Sequence, residues 1–421
     1  MLKQYFKLIF RNLLQRKSFS IINIFGIALG FAVSILTLLY VFTEYKFDRH
    51  IPGVANKYRI IWRPSDDRNA ILPYVFRGKL ESQLPEKTQI CLVNSIGKQY
   101  LSHNKEDYSF ESILSSDSGF KSMFGLSILQ GDTANLLNAP LQVLLSEQAA
   151  EKIFGDENPV TQTVQLWMQD FIITGVFKDL PPTSFQKADA IISASSWKTL
   201  SPGNLTSWGN KSYDYFLSLP SNTNIIELQK KIKDLYLNSD PGFGGITDDI
   251  RSMISFELEP ITDIHLKSDH VLWDDDKNKG NLSMVKAFIC IGMLILLMAG
   301  FNYINLSSAY FQTKNTFSGM QKLLGANIRN LAGYIFLQTF VVVTIGFVLS
   351  LLSVKLVLPF FNHIVSRHIS FSFLFSPAIG GILFIVILFM IIFAGFSPAV
   401  SFARGNPVFT LNMDFHGINA T

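Results

Sequence analysis

The sequence predicts an α-helical membrane protein with four transmembrane helices and one large inserted α+β domain. Three observations support this fold class. Four long stretches lack Asp, Glu, Lys and Arg, a long polar region separates the first stretch from the other three, and the two kinds of region carry opposite net charge. At 421 residues and 48% hydrophobic content, the composition lies between that of a soluble enzyme and that of a fully embedded transporter.

The two clearest uncharged stretches enclose a short basic loop. They hold 27 residues between Lys286 and Lys314, and 25 residues between Arg329 and Lys355. A helix needs about 20 residues to cross a bilayer, and one Lys or Arg at its centre costs roughly 3 kcal/mol. Buried helices of a soluble protein are the alternative. Because residues 18–43 and about 378–396 repeat the pattern, we predict four membrane spans.

Charge is strongly divided along the chain. Residues 44–283 carry 24 Lys and Arg against 31 Asp and Glu, a net of −7, whereas the remainder carries 12 against 1, a net of +11. Since the N-terminus and the loop after the second span are basic and free of acids, the positive-inside rule places both in the cytoplasm. Both termini are then cytoplasmic and residues 44–283 periplasmic, in a bacterial inner (plasma) membrane.

This topology divides the chain into five segments. They are a cytosolic N-terminus at 1–17, the first span at 18–43, the periplasmic domain at 44–283, a three-span domain at 284–400 and a cytosolic tail at 401–421. The three later spans are predicted at about 287–308, 333–356 and 378–398, with a cytosolic loop at 309–332.

The N-terminal residues 1–17 place apolar side chains three and four apart with basic residues between them. This pattern is typical of an amphipathic helix on an anionic leaflet, although a plain cytosolic extension of the first span fits equally well. The uncharged stretch that follows is too long for a signal peptide and has no small-x-small cleavage site before Glu44, so we predict an anchor. Within it, Gly26 and Gly30 form a small-xxx-small face that allows close helix packing.

Residues 44–283 alternate short apolar runs with turns, as expected of an α+β domain. The predicted strands are Lys57 to Trp62, Gln142 to Leu145, Val164 to Met168, Phe171 to Phe177 and Tyr215 to Leu219. Two helices are predicted, Ser146 to Phe154 with Ser146 as N-cap, and Asn224 to Leu237. For the acidic run at 274–276, a solvated loop is favoured over a cation site.

No motif for catalysis is present. The sequence lacks a phosphate-binding Gly-x-x-x-x-Gly-Lys-Ser/Thr loop, His-Glu-x-x-His and Gly-x-Ser-x-Gly, so we predict no catalytic residue and no directly bound cofactor. The seven histidines, His265 and His270 among them, are scattered and expected at the surface, so no metal site is predicted. Cys91 and Cys290 lie in different regions and predict no disulfide. No nucleic-acid partner is predicted.

Several stretches of the inserted domain resemble a known family in order and spacing. They are Phe120 to Phe124, Leu129 to Asp132, Val143 to Glu147, Lys152 to Val160 and Ile173 to Pro182. With one span before the domain and three after it, the chain resembles the permeases typified by the macrolide exporter MacB, the lipoprotein-release permeases and the cell-division protein FtsX, in the form common among Bacteroidetes. The resemblance implies a MacB-like periplasmic core domain at 44–283 and an FtsX-like permease domain at 284–400.

The cytosolic loop resembles the segment with which these permeases dock on a separate ATPase. The matching residues are Gly319, Met320, Gln321, Lys322, Leu323, Leu324, Gly325 and Ala326. The family pattern is acid-x-Gly-Ile/Val-Arg-Lys-x-x-Gly-Ala. Here the acid is replaced around Phe317 and Ser318, and Gln321 stands in place of Arg. An ordinary basic loop between two spans is the alternative.

The resemblance implies the membrane subunit of a mechanotransmission-type ABC transporter. A separate subunit would hydrolyse ATP, and the spans would pass the motion to the periplasmic domain, for export or efflux of antimicrobial compounds, peptides or lipoproteins. Expected partners are the ABC ATPase, a second permease half (the same chain or a homologue), the lipid bilayer, a periplasmic adaptor and an outer-membrane channel. The alternatives are an FtsX-like scaffold or regulator that transports nothing, and a sensor without an ATPase.

Overall fold

The computed structural model describes residues 2–133, 135–268, 271–272, 279–312 and 328–404. The chain forms two compact units. One is Glu44–Leu282, and the other combines Met1–Thr43 with Ser283–Thr421. The first unit begins at the first acidic residue of the chain, Glu44. The acidic run at 274–276, for which we predict a solvated loop, lies outside the described residues.

The N-terminal part consists of two helices, α1 (Leu2–Gln15) and α2 (Lys17–Tyr45). Helix α1 buries Ile9 completely and leaves Phe10 and Leu14 exposed. The Ser20 hydroxyl donates to the Leu13 carbonyl at 2.9 Å, which ties the end of α1 to the start of α2. Helix α1 is therefore a separate helix with apolar side chains both buried and exposed, and its place on an anionic leaflet stays a prediction.

The inserted unit contains eight helices and thirteen strands among its described residues. The helices are α3 (Phe76–Glu81), α4 (Phe120–Phe124), α5 (Glu147–Phe154), α6 (Trp197–Leu200), α7 (Gly203–Thr206), α8 (Ile225–Ser239), α9 (Asp248–Met253) and α10 (Ile261–Lys267). The strands are β1 (Lys57–Arg63), β2 (Arg68–Asn69), β3 (Ile71–Pro73), β4 (Gln89–His103), β5 (Glu106–Ser116), β6 (Ile128–Gly131), β7 (Gln142–Ser146), β8 (Thr163–Leu166), β9 (Gln169–Phe177), β10 (Ala190–Ser193), β11 (Lys211–Ser218), β12 (Ser255–Pro260) and β13 (Val271–Leu272).

These strands form one mixed sheet in the order β13-β2-β1-β11-β4-β5-β10-β7-β9-β6, with β12 on β1, β3 on β11 and β8 on β4 and β9. The parallel pairs are β10 with β5, β7 with β9 and β13 with β2. Three hydrophobic clusters cover the sheet. One packs α3 and α8 on β1, β11 and β12, a second packs α5 on β7 and β9, and a third contains α4 and α10.

The two helices predicted in this domain are confirmed. The Ser146 hydroxyl accepts a hydrogen bond from the Ala149 amide at 3.1 Å, and Gly155 follows α5 with φ 58°. Asn224 caps α8 by accepting from the Glu227 amide at 3.3 Å. Short polar side chains at the N-cap satisfy amides that have no intrahelical partner, which is why both helix starts are predictable.

One predicted strand is wrong at its end. We expected Val164 to Met168 to be continuous, but β8 ends at Leu166, and Trp167 and Met168 have φ of 52° and 61°. They form a two-residue turn into β9, with Leu166 paired to Gln169. Positive φ at both central positions is the geometry of a tight hairpin turn, which usually takes Asn or Gly. Because Trp167 and Met168 occupy these positions instead, the sequence gives no local indication of a turn.

The remaining helices are α11 (Leu282–Gln312), α12 (Ile328–Val365) and α13 (Pro377–Arg404). Together with α2 they are the helices of the described residues that are long and apolar enough to cross a membrane. This architecture confirms the predicted fold class. Helix α12 has 38 residues and is therefore about 57 Å long, nearly twice the roughly 30 Å of a bilayer core. More than half of the central stretch of α2 is buried, whereas the other three leave most of theirs exposed.

Candidate functional site

The predicted coupling segment, Gly319 to Ala326, lies outside the described residues. The structure describes the helices on either side of it, α11 up to Gln312 and α12 from Ile328. The residues close to those two helix ends therefore flank the predicted coupling segment on both sides. We call this end of the helices the loop end.

Near the loop end, α12 contacts the N-terminal helix through Tyr334. The Asn12 amide nitrogen donates a hydrogen bond to the Tyr334 hydroxyl at 3.0 Å. The ring of Tyr5 meets the Tyr334 ring edge-on, with 5.9 Å between centroids. A polar contact and an aromatic contact thus fix the start of α12 to two turns of α1.

On the other side of the loop, α11 makes equivalent contacts through Tyr310. Phe19 stacks on the Tyr310 ring at a centroid distance of 4.8 Å, and the Arg16 guanidinium lies 5.1 Å from the same ring. A cation over an aromatic face is stabilising. The segment from Tyr5 to Phe19 therefore contacts the helices on both sides of the predicted coupling loop, a connection that sequence spacing does not reveal.

Gly26 and Gly30 both face α11. A Cβ added to Gly30 would lie 2.5 Å from Ala299 Cβ, and one added to Gly26 would lie 3.3 Å from Asn302 Nδ2. Further along the same pair of helices, the Ser34 hydroxyl donates to the Gly292 carbonyl at 2.9 Å. The small-xxx-small face thus lies where α2 and α11 pack closely, since a side chain at Gly30 would collide with Ala299.

At its other end, α2 contributes a residue to the inserted unit. Glu44 Oε2 lies 2.9 Å from His265 Nε2 of α10, and both side chains are buried. The ring of Phe47 stacks flat on the His265 ring, with 3.4 Å between centroids. His265 was expected at the surface, and that prediction is wrong because a carboxylate 221 positions away in sequence pairs with it.

Gly280 covers this pair immediately before α11 begins. Its amide donates to the His265 carbonyl at 2.8 Å. A Cβ at Gly280 would lie 2.5 Å from Glu44 Oε2 and 2.7 Å from His265 Nε2. The chain leaving α2 and the chain entering α11 are thus joined at one buried polar contact, which we call the Glu44–His265 latch.

Asp48, one turn beyond the latch, joins α2 to a second part of the domain. Its amide donates to the Thr183 carbonyl, and its carboxylate accepts from the Phe185 amide, each at 2.9 Å. This segment directly follows Pro181 and Pro182. The residues that follow these prolines thus hold the chain just beyond the end of α2.

Helix α10 also connects the latch to a buried ionic cluster in the sheet. Arg59 donates to Glu259 Oε2 at 2.8 Å and to the Ser268 hydroxyl at 2.8 Å, while Arg68 binds Glu259 Oε1 at 3.1 Å. Arg59 is 1% exposed. A buried ion pair requires precise partners because removing one leaves an uncompensated charge. Ser268, three residues after His265, therefore links α10 to β1 and β12.

Within the described residues, no group of three His, Cys, Asp or Glu side chains is arranged to hold a metal ion. Cys91 is buried and Cys290 exposed, and neither forms a disulfide. The polar groups described above serve packing and connection between elements. The arrangement defines a class of protein, a polytopic membrane protein whose large extramembrane domain is inserted between its first and second spans.

Sequence comparison gives the family. The model of the MacB-like periplasmic core domain matches residues 20–235, just over half of the chain, and that of the FtsX-like permease C-terminal domain matches residues 289–407. The chain belongs to this family of FtsX-like permeases with a MacB-like periplasmic core domain. It is accordingly an ABC transporter membrane subunit, of a family that works with an ABC ATPase, and a multi-pass protein of the inner membrane. No curated protein matches the sequence.

Solved structures similar to the chain share little sequence with it. A domain of a permease protein from Porphyromonas gingivalis is 18% identical over 50% of this chain and 92% of that domain, with a TM-score of 0.43. The periplasmic region of MacB from Actinobacillus actinomycetemcomitans is 16% identical over 51% and 94%, with a TM-score of 0.37. The extracellular domain of the noncanonic ABC-type transporter YknZ from Gram-positive bacteria is 17% identical over 48% and 99%, with a TM-score of 0.36.

Proposed function

We propose that this permease works by mechanotransmission. A separate ATPase engages the loop segment Gly319 to Ala326, and its ATP-driven movement passes through the spans to the inserted domain. The observation that carries this proposal is that the helices on both sides of the loop contact one N-terminal segment, through Asn12 with Tyr334 and through Phe19 with Tyr310. A displacement of the loop would therefore reach α2 as well as α11 and α12.

The domain end of α2 supports the second half of this proposal. Glu44 belongs to the last turn of α2 and pairs with His265 inside the inserted unit. Because α2 is a continuous helix from Lys17 to Tyr45, a shift along its axis would move Glu44. The Glu44–His265 latch is then the first contact through which the domain would receive that movement.

Orientation, partners and substrate form part of the same proposal. The acid-free basic N-terminus supports a cytoplasmic location for both termini and a periplasmic location for residues 44–283. Four spans per chain support a second permease half, either this chain or a homologue. Export or efflux of antimicrobial compounds, peptides or lipoproteins, with a periplasmic adaptor and an outer-membrane channel, follows from the family resemblance. No cofactor is proposed for this chain, and ATP would bind the partner ATPase.

The test is co-expression with the nearest encoded ATPase, followed by purification in detergent and measurement of co-elution and ATP hydrolysis. We expect a stable complex with an altered hydrolysis rate. Replacing Lys322 by Glu together with Gly325 by Leu should abolish co-elution. Lys314→Ala, a basic residue of the same loop outside the docking segment, is the matched control and should behave as wild type.

A negative result has a definite meaning. If the wild-type chain and the ATPase elute separately, the loop does not dock, and the non-transporting scaffold or regulator becomes the better hypothesis. The replacement of the family Arg by Gln321 and the absence of an acid around Ser318 favour that alternative. A complex that survives the double substitution would place docking elsewhere on the chain.

A further inference from the structure

A small polar cavity lies in the inserted domain, between strands β1, β2 and β3 and the start of β11. Its walls are Trp62 of β1, Asn69 of β2, Ile71 of β3, and Gly209, Asn210 and Lys211 at the start of β11. Its volume is about 270 Å³, slightly below the roughly 300–1,000 Å³ typical of sites for drug-sized ligands. It therefore has room for a small chemical group.

Lys211 supplies a positive charge to this cavity. Its ammonium lies 4.0 Å from the centroid of the Trp62 ring, and no described carboxylate forms an ion pair with it. Burial lowers the pKa of Lys211, and this effect is larger than the opposing effect of the nearby Asp240 carboxylate, which raises the pKa. The cation is thus partly removed from water, with an aromatic face and the Asp240 carboxylate as partial compensation, so an anion in the cavity would stabilise it.

Trp62 supplies an unused hydrogen-bond donor. Its side chain is 8% exposed, and its indole N–H is buried without an acceptor in the part of the chain that the structure describes. A tryptophan N–H can only donate, and a buried donor without a partner costs about 1–3 kcal/mol. Asn69, opposite Trp62 in the β1–β2 pair, adds a side-chain amide to the same cavity.

We propose that this cavity binds a carboxylate, with the Lys211 ammonium as its counter-charge and the Asn69 side-chain amide as its donor, beside the buried and unpaired Trp62 indole N–H. A single lysine with Asp240 nearby matches one negative charge better than the charge of −1.5 to −2 on a phosphate monoester. The carboxylate is that of a small organic acid or of a peptide C-terminus, two sources that share this chemistry. The site is independent of the proposed coupling to an ATPase.

The experiment uses the full chain in detergent with tryptophan labelled by ¹⁵N at the indole nitrogen. The Trp62 signal is assigned by its loss in Trp62→Phe. The probes are acetate, N-acetyl-alanyl-alanine, the C-terminal amide of that dipeptide, and inorganic phosphate. We expect a saturable shift of the Trp62 signal with both carboxylates and none with the amide. Stronger binding of the dipeptide would identify the peptide terminus, and equal binding would identify a small acid.

Substitutions that change charge distinguish an effect on ligand binding from an effect on the stability of the fold. Lys211→Met should weaken carboxylate binding at least tenfold, and Lys211→Arg should retain it. Asp240→Asn, which keeps an oxygen for the Gly242 amide that Asp240 now caps at 2.9 Å, should strengthen binding severalfold. Lys198→Met removes an exposed lysine of α6 as the matched control and should change nothing.

Equal shifts with the dipeptide and its amide would overturn the proposal. So would the absence of a shift with either carboxylate, or an equal loss of binding in Lys211→Met and Lys211→Arg. Tighter binding of phosphate than of carboxylate would also contradict the assigned ligand class. Co-elution with the ATPase should be unaffected by Lys211→Met, so failure here is distinguishable from failure of the proposed coupling.

Discussion

The Glu44 carboxylate and the His265 imidazole lie 2.9 Å apart with side chains 0% and 1% exposed, although 221 positions separate them in sequence. One partner belongs to the last turn of α2 and the other to α10 of the inserted domain. Removing one partner of a buried hydrogen bond leaves the other polar group less well satisfied, which costs more than the bond contributes on balance. The latch is therefore best tested by changing one residue at a time.

His265→Ala should lower the free energy of unfolding of the inserted domain by about 1–3 kcal/mol, because it removes a buried hydrogen-bond partner of Glu44. Thermal unfolding of the purified full chain in detergent measures the effect. His50→Ala, which removes an exposed histidine close to the same helix end, is the control and should have little effect. Equal melting temperatures for His265→Ala and wild type would contradict a structural role for the latch.

Gly30→Ala should loosen the packing of α2 on α11, because the new methyl would lie 2.5 Å from Ala299 Cβ. Overpacking of this kind costs about 1–3 kcal/mol. Combining it with Ala299→Gly should restore stability by making room for that methyl. Gly380→Ala, a helical position with open space around it, is the control, and thermal unfolding in detergent is the measurement. Failure of the double variant to recover would refute this steric account.

Cys91 predicts a pH dependence of stability. Burial in the core raises the pKa of its thiol well above the usual range, whereas in the unfolded chain the thiol ionises near pH 8.5. Above that pH the unfolded state releases a proton that the folded state keeps. The contribution of Cys91 is therefore complete below about pH 8.5 and is lost as pH rises, by up to about 1.4 kcal/mol per pH unit.

The measurement is denaturant unfolding between pH 7 and pH 10. Cys91→Ala should decline less steeply with pH than wild type. Cys290→Ala, which removes the other thiol of the chain, is the matched control. Parallel slopes for Cys91→Ala and wild type would show that the Cys91 thiol ionises equally in both states.

Asn12 and Tyr334 should be energetically coupled. Their hydrogen bond of 3.0 Å predicts a coupling energy of about 0.5–1.5 kcal/mol in a double-mutant cycle with Asn12→Ala and Tyr334→Phe. Stability is measured by unfolding in detergent, and ATP hydrolysis by the complex is measured in parallel. Leu14→Ala, on the exposed side of α1, is the control. Strictly additive effects of the two substitutions would mean that the contact contributes nothing.

Local signals made much of the fold predictable. Uncharged stretches longer than a bilayer crossing identify the spans, and Ser146 and Asn224 mark two helix starts because N-capping depends on a few neighbouring residues. The Trp167–Met168 turn was not predicted because large apolar residues such as these are usual in strands and not in tight turns. Among the site residues, those of the latch could not be predicted, since a histidine carries no local sign that a carboxylate over two hundred residues away will bury it.

The Glu44–His265 latch has a practical consequence for work on the inserted domain in isolation. A soluble fragment that begins just after α2 would keep Phe47 but lack Glu44, leaving the His265 ring without its buried hydrogen-bond partner. The polar interior of the domain thus includes a residue from the final turn of the first membrane helix. A folded fragment must carry that turn with it.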